Sequence, residues 1–199
     1  MNTMPVDMID LSELRSTTQR LLADKIERRS PWIGNGRKTE ELDRIAAEQG
    51  WFMLTAPEDL GGLGQSFVAL APIYEELGRS LAPIWLSGTM AAIDALLVDG
   101  SDAAREGVAG VLEGGTRIAF VMLPEGQSIG KASLPVVPAD ENATHFLVVT
   151  HDASEARLIP VGATGLTVKP VETWDLGRGY VEVILDNVAG GLVLSQDAA

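Results

Sequence analysis

A cluster of glycines is the first group of residues in this 199-residue chain that could do chemistry. Gly61, Gly62 and Gly64 surround Leu63, and the backbone N–H groups of such a loop can cradle a phosphate. A P-loop, however, needs a strand before the glycines and a Gly-Lys-Ser/Thr sequence after them. The sequence has neither of these at this place, so we favour a structural loop over a phosphate site.

Two neighbouring carboxylates form a second group. Glu75 and Glu76 follow Tyr74, and the three side chains could line a ligand pocket or supply a base. The competing interpretation places Tyr74 in the core and both glutamates on a solvated helix face, where charged residues are commonest. We favour this second interpretation. It predicts that Glu76 is exposed and that removing its side chain changes the stability little.

Arg178, between Gly177 and Gly179, is the best single candidate for binding an anion. A guanidinium can bind a phosphate or a carboxylate through two parallel hydrogen bonds. The competing interpretation is a buried structural ion pair with Asp175, three residues earlier, and we favour that pair.

The histidines do not form a metal site in this sequence. His145 and His151 lie six residues apart in an extended segment, which places them on one face but about 20 Å from each other. The chain has no cysteine, which excludes disulfides, thiolate catalysis and cysteine-ligated metals. We therefore predict no metal site and assign no catalytic residue.

Charge limits the partners of the chain. There are 28 acidic against 15 basic residues, a formal net charge of −13, which opposes binding to nucleic acid or to an anionic membrane. One anionic ligand can still bind at helix N-termini and arginines. Because no apolar stretch approaches the roughly 18 residues of a spanning helix, we expect a soluble, cytoplasmic protein.

Helical periodicity dominates residues 1–115 and predicts an all-helical first domain. Asp10 and Glu13 form a capping box for the first helix, which we expect to end near Ser30. The strongest helix follows Ser66 and has apolar residues at helical spacing. These residues are Phe67, Leu70, Ala71, Tyr74, Leu77 and Leu81.

Alternating patterns replace the helical ones in residues 116–199 and predict a small antiparallel β domain. Five short strands separated by Gly, Pro, Asn and Asp clusters are expected. They cover residues 117–122, 145–150, 157–160, 166–169 and 180–185. The predicted class is therefore α+β, with a helical domain before a β domain.

Two adjacent segments resemble the N-terminal domain of acyl-CoA dehydrogenases. They are residues 50–64, GWFMLTAPEDLGGLG, and residues 67–79, FVALAPIYEELGR. In that family, similar segments form part of the wall of an acyl-thioester and flavin site. Residues 144–149, 165–168 and 174–188 are similar to strands of the family's central β domain, so the resemblance covers nearly the whole chain.

The resemblance implies FAD as cofactor and an acyl-CoA thioester as substrate. The backbone of residues 120–123 would face the flavin ring, so Phe120, Met122 and Leu123 are the implied cofactor residues, and Arg178 would bind substrate. Trp51, Trp85 and Trp174 could stack on the flavin, but we expect tryptophans in so apolar a chain to be core residues.

The sequence departs from the family pattern in three elements. Residues 122–128, MLPEGQS, stand where the family has a "T-E-P…G-S-D" segment, and residues 130–144 are too few for its "W-I-(T/S)" strand. The family's C-terminal bundle, which carries the catalytic glutamate, would begin near Ala199. We therefore expect these residues alone to be inactive and to hold FAD weakly.

Two functions from different classes are consistent with this pattern. The first is part of a flavoprotein oxidoreductase of fatty acid metabolism that forms a Cα=Cβ double bond: a glutamate takes the α-proton and a hydride passes to flavin N5. The second is a non-catalytic accessory subunit that pairs with a complete acyl-CoA dehydrogenase. Both interpretations imply a homo-oligomer or a hetero-oligomer.

Overall fold

The computed structural model describes residues 9–26, 39–82, 86–139, 142–175 and 177–195. The chain divides into two compact units, Met1–Ile84 and Trp85–Ala199, called here unit 1 and unit 2.

Unit 1 is built from helices. Its α-helices are α1 (Leu11–Lys25), α2 (Thr39–Glu48) and α3 (Ala71–Ser80), and short 3-10 turns occupy Trp51–Met53, Glu58–Leu60 and Phe67–Leu70. α1 packs on α3. As predicted, Asp10 caps α1 and accepts the N–H groups of Ser12 and Glu13. α1 ends at Lys25, earlier than expected, and the predicted end near Ser30 lies outside the described residues.

The described residues of unit 2 form two helices and two sheets. The elements are α4 (Leu86–Asp99), α5 (Asp102–Leu112), β1 (Ile118–Met122), β2 (Lys131–Pro138), β3 (His145–Val149), β4 (Ala156–Pro160), β5 (Leu166–Pro170), β6 (Tyr180–Asp186) and β7 (Leu192–Val193). The strand order is β1-β3-β4-β7 in one sheet and β2-β6-β5 in the other. An apolar cluster that includes Val121, Phe146, Ile159 and Val183 joins residues of both sheets.

The α+β class and the change from helices to strands after residue 115 are confirmed. All five predicted strands are present, but β2 and β7 were not predicted. One pairing is parallel, β1 with β3, whereas the other strand pairs are antiparallel. The β domain is therefore not the purely antiparallel one that the sequence predicted, because it contains this parallel pair.

α4 and α5 belong to the same compact unit as the strands. The Thr89 hydroxyl on α4 donates to the Ile118 carbonyl, and a Cβ on Gly88 would lie 3.3 Å from the Phe120 nitrogen. At the end of α4, Asp99 Oδ2 accepts the N–H of Ser195, after β7, at 2.8 Å. The periodicity of the sequence changes near residue 115, but the compact units divide after Ile84.

Candidate functional site

The glycine loop of unit 1 directs its backbone N–H groups inward. Leu63 donates to the Met53 carbonyl, Gly64 to Ala56 and Gln65 to Leu54, at 2.7–2.8 Å. These N–H groups cannot also bind a phosphate. The structural interpretation of the loop is therefore confirmed for this segment.

Gly62 explains why the loop needs glycine. A Cβ at this position would lie 2.0 Å from the Ala56 carbonyl oxygen, a distance at which the backbone itself would have to move. The loop is built by close backbone contact, and it holds the chain segment that leads into α3.

Glu76 is the main correction to the sequence analysis. It is 2% exposed, although we expected a solvated side chain. Its Oε1 lies 3.5 Å from Arg15 Nη1 of α1 and 3.4 Å from Arg79 Nε. Its Oε2 is buried without a hydrogen-bond partner among the described residues. Two arginines thus face one buried carboxylate.

The two residues that precede Glu76 on α3 are on the surface. Glu75 is exposed and pairs with Arg15, whose hydrogen bond holds the pKa of that carboxyl below its ordinary value. Tyr74, expected in the core, is 37% exposed, and partial burial raises the pKa of its phenol. Tyr74 and Glu75 therefore lie on the outer face of α3, whereas Glu76 packs inward with Leu77, which is buried as expected.

The three implied flavin residues lie on and just after β1. The Phe120 side chain is partly buried, Met122 is 57% exposed and Leu123 is buried. The Leu123 N–H donates to the Val149 carbonyl at 2.8 Å. The apolar side chain of Met122 is therefore on the surface, whereas the N–H of Leu123 is used in a hydrogen bond within the sheet.

The polar groups of the turn after β1 form hydrogen bonds within the turn and with β2. The N–H groups of Gln127 and Ser128 donate to Pro124 and Lys131, and Lys131 donates back to Ser128. The Gln127 side chain accepts the N–H of Ser133 on β2. These donors are thus occupied by internal hydrogen bonds, which leaves an apolar surface at Met122 as the main feature of the segment.

The loop between β5 and β6 contains Arg178, the implied substrate residue. Arg178 Nε lies 3.7 Å from Asp175 Oδ2, so the expected pair exists, but both side chains are exposed rather than buried. Asp175 also accepts the Gly177 N–H and the Tyr180 hydroxyl. Trp174, expected in the core, is fully exposed, whereas Trp51 is buried as expected. Trp85 lies outside the described residues.

No metal cluster of His, Asp and Glu occurs in the part of the chain that the structure describes. His145 is half-buried at the start of β3, with Nδ1 3.0 Å from the Thr144 hydroxyl, and burial lowers the pKa of its imidazole. His151 is exposed in the turn after β3. Within the described helices, no segment is long and apolar enough to cross a membrane.

Comparison with known proteins identifies the family. The family model for the acyl-CoA dehydrogenase N-terminal domain matches residues 10–112, just over half of the chain. The chain belongs to the acyl-CoA dehydrogenase family. A comparison with curated protein sequences gives no match.

Solved structures of acyl-CoA dehydrogenases have the same fold. A variant of the Tcur3481-Tcur3483 steroid ACAD is 25% identical, with a TM-score of 0.77 over 94% of this chain and 57% of that chain. The ChsE4-ChsE5 complex from Mycobacterium tuberculosis is 16% identical, with a TM-score of 0.72 over 100% of this chain and 58% of that one.

Glutaryl-CoA dehydrogenase from Mycobacterium smegmatis, in complex with FADH2, is 17% identical. Its TM-score is 0.72 over 99% of this chain and 56% of that one. This acyl-CoA dehydrogenase family member thus spans less than three fifths of the length of each of the three solved chains.

Proposed function

We propose that this chain forms the helical and central β parts of a flavin-dependent acyl-CoA dehydrogenase that oxidises the Cα–Cβ bond of an acyl-CoA thioester. The observation that carries the proposal is the family match over residues 10–112, supported by a common fold over 94% of the chain with a steroid ACAD. FAD would supply the hydride-accepting chemistry when bound. The residues of this chain would supply binding surfaces.

Phe120, Met122 and Leu123 are the residues that we assign to the flavin. The exposed Met122 side chain suits an apolar wall against an aromatic ring. The polar edge of a flavin also needs hydrogen-bond donors, and the N–H groups of Leu123, Gln127 and Ser128 are already bonded within the fold. The segment thus fits the cofactor as a wall and not as a hydrogen-bonding clamp.

Weak flavin binding by these 199 residues follows from this fit. Each missing hydrogen bond to a charged or buried group is worth roughly 1.5–3 kcal/mol, so the Kd for FAD should be micromolar or weaker. The purified protein should be colourless, and fluorescence titration with FAD should measure the Kd. Stoichiometric yellow flavin that survives gel filtration would contradict this assignment.

Arg178 is the residue that we assign to the anionic substrate. Its guanidinium is exposed beside Asp175, so a phosphate of coenzyme A could compete for its donors. Calorimetric titration with coenzyme A tests the role: Arg178→Ala should weaken binding about tenfold. Lys169→Ala is the matched control, because Lys169 is also an exposed cation beside a carboxylate, Glu182. Equal losses in both variants would indicate only non-specific attraction.

A non-catalytic accessory subunit is the second candidate function. The observation that favours it is that the ChsE4-ChsE5 structure is a complex of two named components. Dye-reduction assays with a panel of acyl-CoA thioesters distinguish the two functions. We expect no turnover by the chain alone under either proposal. Turnover restored by the remaining part of the same polypeptide supports the first, and turnover that requires a separate complete dehydrogenase chain supports the second.

A further inference from the structure

The end of α4 carries the one Asp-Gly pair in the sequence, Asp99–Gly100. In such a pair the backbone nitrogen of the glycine can attack the side-chain carboxyl carbon of the aspartate, and a cyclic imide forms as water leaves. Glycine favours this ring because it has no side chain to hinder the nitrogen and because its backbone turns freely. Asp99 is therefore the aspartate in this sequence that is chemically best suited to the reaction.

Hydrolysis of the imide returns the water that was lost, so the overall reaction is an isomerisation that needs no oxidant or reductant. Opening of the ring at one carbonyl gives aspartate again. Opening at the other carbonyl gives isoaspartate, in which the main chain runs through the former side-chain carbons and the carboxylate is attached directly to Cα. Isoaspartate thus lengthens the main chain by a methylene group and brings the carboxylate closer to it.

The fold holds the nitrogen of Gly100 away from this reaction. The Gly100 N–H donates to the Leu96 carbonyl at 3.0 Å and so continues the hydrogen bonds of α4 past its last residue. Gly100 has a φ of 66°, and the chain leaves the helix there. The ring closes only if the peptide group between Asp99 and Gly100 rotates until the nitrogen faces the carboxyl carbon. This rotation breaks the hydrogen bond to Leu96.

Hydrogen bonds from Ser101 and Ser195 hold the Asp99 carboxylate. Oδ1 accepts the N–H and the hydroxyl of Ser101, which is the N-cap of α5, and Oδ2 accepts the N–H of Ser195 at 2.8 Å. These bonds, that of the Ser101 hydroxyl first, hold the pKa of the Asp99 carboxyl below its ordinary value. The ionised carboxylate is the unreactive form, because its charge repels a nucleophile and it has no OH that can leave as water.

Ser195 is the donor that a local motion removes most easily. It follows β7 (Leu192–Val193), a two-residue strand that pairs with β4 at the edge of its sheet. The Leu194 N–H donates to the Ala156 carbonyl, and the next N–H along the chain is the one that Asp99 accepts. Short edge segments open at a lower free energy than core strands do. Each such opening takes the Ser195 N–H away from Oδ2.

We propose that Asp99–Gly100 is a site of spontaneous isoaspartate formation and that the hydrogen bonds from Ser101 and Ser195 to its carboxylate control the rate. The reaction is slow while β7 is paired and faster when the segment after β7 opens. After isomerisation the carboxylate no longer reaches Ser101 and Ser195 together, because it is attached directly to a lengthened main chain. The modified protein therefore loses the link between the end of α4 and the segment after β7.

Proline at position 195 tests the control by Ser195, because proline has no N–H to donate. The full 199-residue chain is incubated at neutral pH, below its melting temperature, as Ser195→Pro and as Ser195→Ala. Ser195→Ala is the matched control, since it removes the hydroxyl and keeps the N–H. Isoaspartate at position 99 is measured by chromatography and fragmentation of the peptide that contains it. We expect it to form at least about fivefold faster in Ser195→Pro, which lacks one hydrogen bond to a charged group.

A second variant acts on the other carboxylate oxygen. Ser101→Gly removes the hydroxyl that donates to Oδ1, and a helix N-cap tolerates glycine well. We expect isoaspartate to form about threefold faster than in the wild type. If the melting temperature shows that Ser195→Pro does not fold, this comparison decides, and a Ser101→Gly rate equal to that of the wild type overturns the proposal.

Asn35–Gly36 supplies an internal reference in the same chain. It lies outside the described residues and forms the same kind of imide with loss of ammonia, so its product differs in mass from that of Asp99. Its rate should be the same in Ser195→Pro and Ser195→Ala. Equal acceleration at both sites would show general unfolding and would overturn control by a local contact.

Hydrogen exchange of the isomerised protein tests the lost link. Exchange in residues 189–195 should be about tenfold faster than in the unmodified protein, whereas α3 should keep its exchange rates. Unchanged exchange in residues 189–195 overturns the structural consequence. Equal rates of isoaspartate formation in folded Ser195→Pro and Ser195→Ala overturn the control by Ser195, and so does a folded wild type that isomerises as fast as the chain in urea.

Discussion

The two compact units bury charge in opposite ways. Unit 1 encloses the carboxylate of Glu76 and places Arg15 and Arg79 against one of its oxygens. In unit 2 the cluster shared by the two sheets consists of apolar residues such as Phe146, and the Lys169–Glu182 pair lies toward the surface. Burial around Glu76 thus depends on matched partners, whereas burial in the cluster between the two sheets depends on filling volume.

The largest effect should come from a second carboxylate in unit 1. Leu77→Asp places a charge next to Glu76 on the buried side of α3, where neither arginine is available to neutralise it. We expect a loss of more than about 4 kcal/mol in the free energy of unfolding. Urea unfolding followed by circular dichroism measures the loss, and a loss below about 1 kcal/mol would disprove the assigned face.

Volume should decide stability in unit 2. Phe146 is fully buried between the sheets, so Phe146→Ala should cost about 3–4 kcal/mol through lost contacts and the cavity left behind. Phe146→Leu keeps most of the volume and should cost about 1 kcal/mol. Equal losses in the two variants, measured by urea unfolding, would mean that the site collapses around the smaller side chain.

Two variants of Glu76 separate the effect of its buried charge on stability from the effect of its volume. Glu76→Ala leaves a cavity and two arginines without their shared partner, and we expect a loss of about 2–3 kcal/mol. Glu76→Met keeps the volume and removes the desolvated charge, so its stability should stay within about 1 kcal/mol of the wild type. Thermal melts of both variants check this. A large loss in Glu76→Met would show that the ion pairs themselves hold α1 on α3.

The smallest effect is a pH dependence at a surface turn of unit 2. Hydrogen bonds from Ser154 and Thr150 lower the pKa of Asp152 to about 2, from 3.8. Because the folded pKa is the lower one, the carboxylate stabilises the fold above pH 3.8, and this stabilisation is lost as the pH falls toward 2. Asp152→Asn should thus lower the melting temperature at pH 6 and not at pH 2. A difference that is constant with pH would argue against ionisation as the cause.

Periodicity predicted the helices well and failed at Glu76 for a physical reason. The pattern around α3 correctly placed Leu77 inward, but a charged residue was assigned to solvent by default. Arg15, one partner of Glu76, precedes it by 61 residues, so no local spacing shows the pairing. When two acidic residues follow each other on a helix, the sequence alone does not show which of them is buried. Here the answer depends on how α1, which carries Arg15, packs on α3.

The missed strand β2 shows a second limit. Its sequence, KASLPVVP, contains two prolines, which are typical of turns or of edge strands. β2 is an edge strand, and its register with β6 shifts between Leu134 and Val137. Proline and the bulge interrupt the alternation that identifies a strand, while both protect the edge from unwanted pairing.

Candidate site residues were the least predictable part. Trp174 and Arg178 belong to one loop held by Asp175, and hydrophobicity alone placed the tryptophan in the core. Hydrophobic scales measure transfer from water and take no account of how a carboxylate fixes a loop at the surface. The pairing of Arg178 with Asp175 could be predicted because the two residues are only three positions apart. The exposure of the pair could not, because it depends on the tertiary structure.

The hydrogen bond from the Ser195 N–H to Asp99 has a consequence for synthesis on the ribosome. It joins residues 96 positions apart, so the fold of unit 2 cannot close until its last described strand has left the exit tunnel. Unit 1 is complete by residue 84 and can fold while unit 2 is still being translated. During that interval α4, with its largely apolar sequence, has been synthesised but lacks the strand β1, on which it packs in the complete unit.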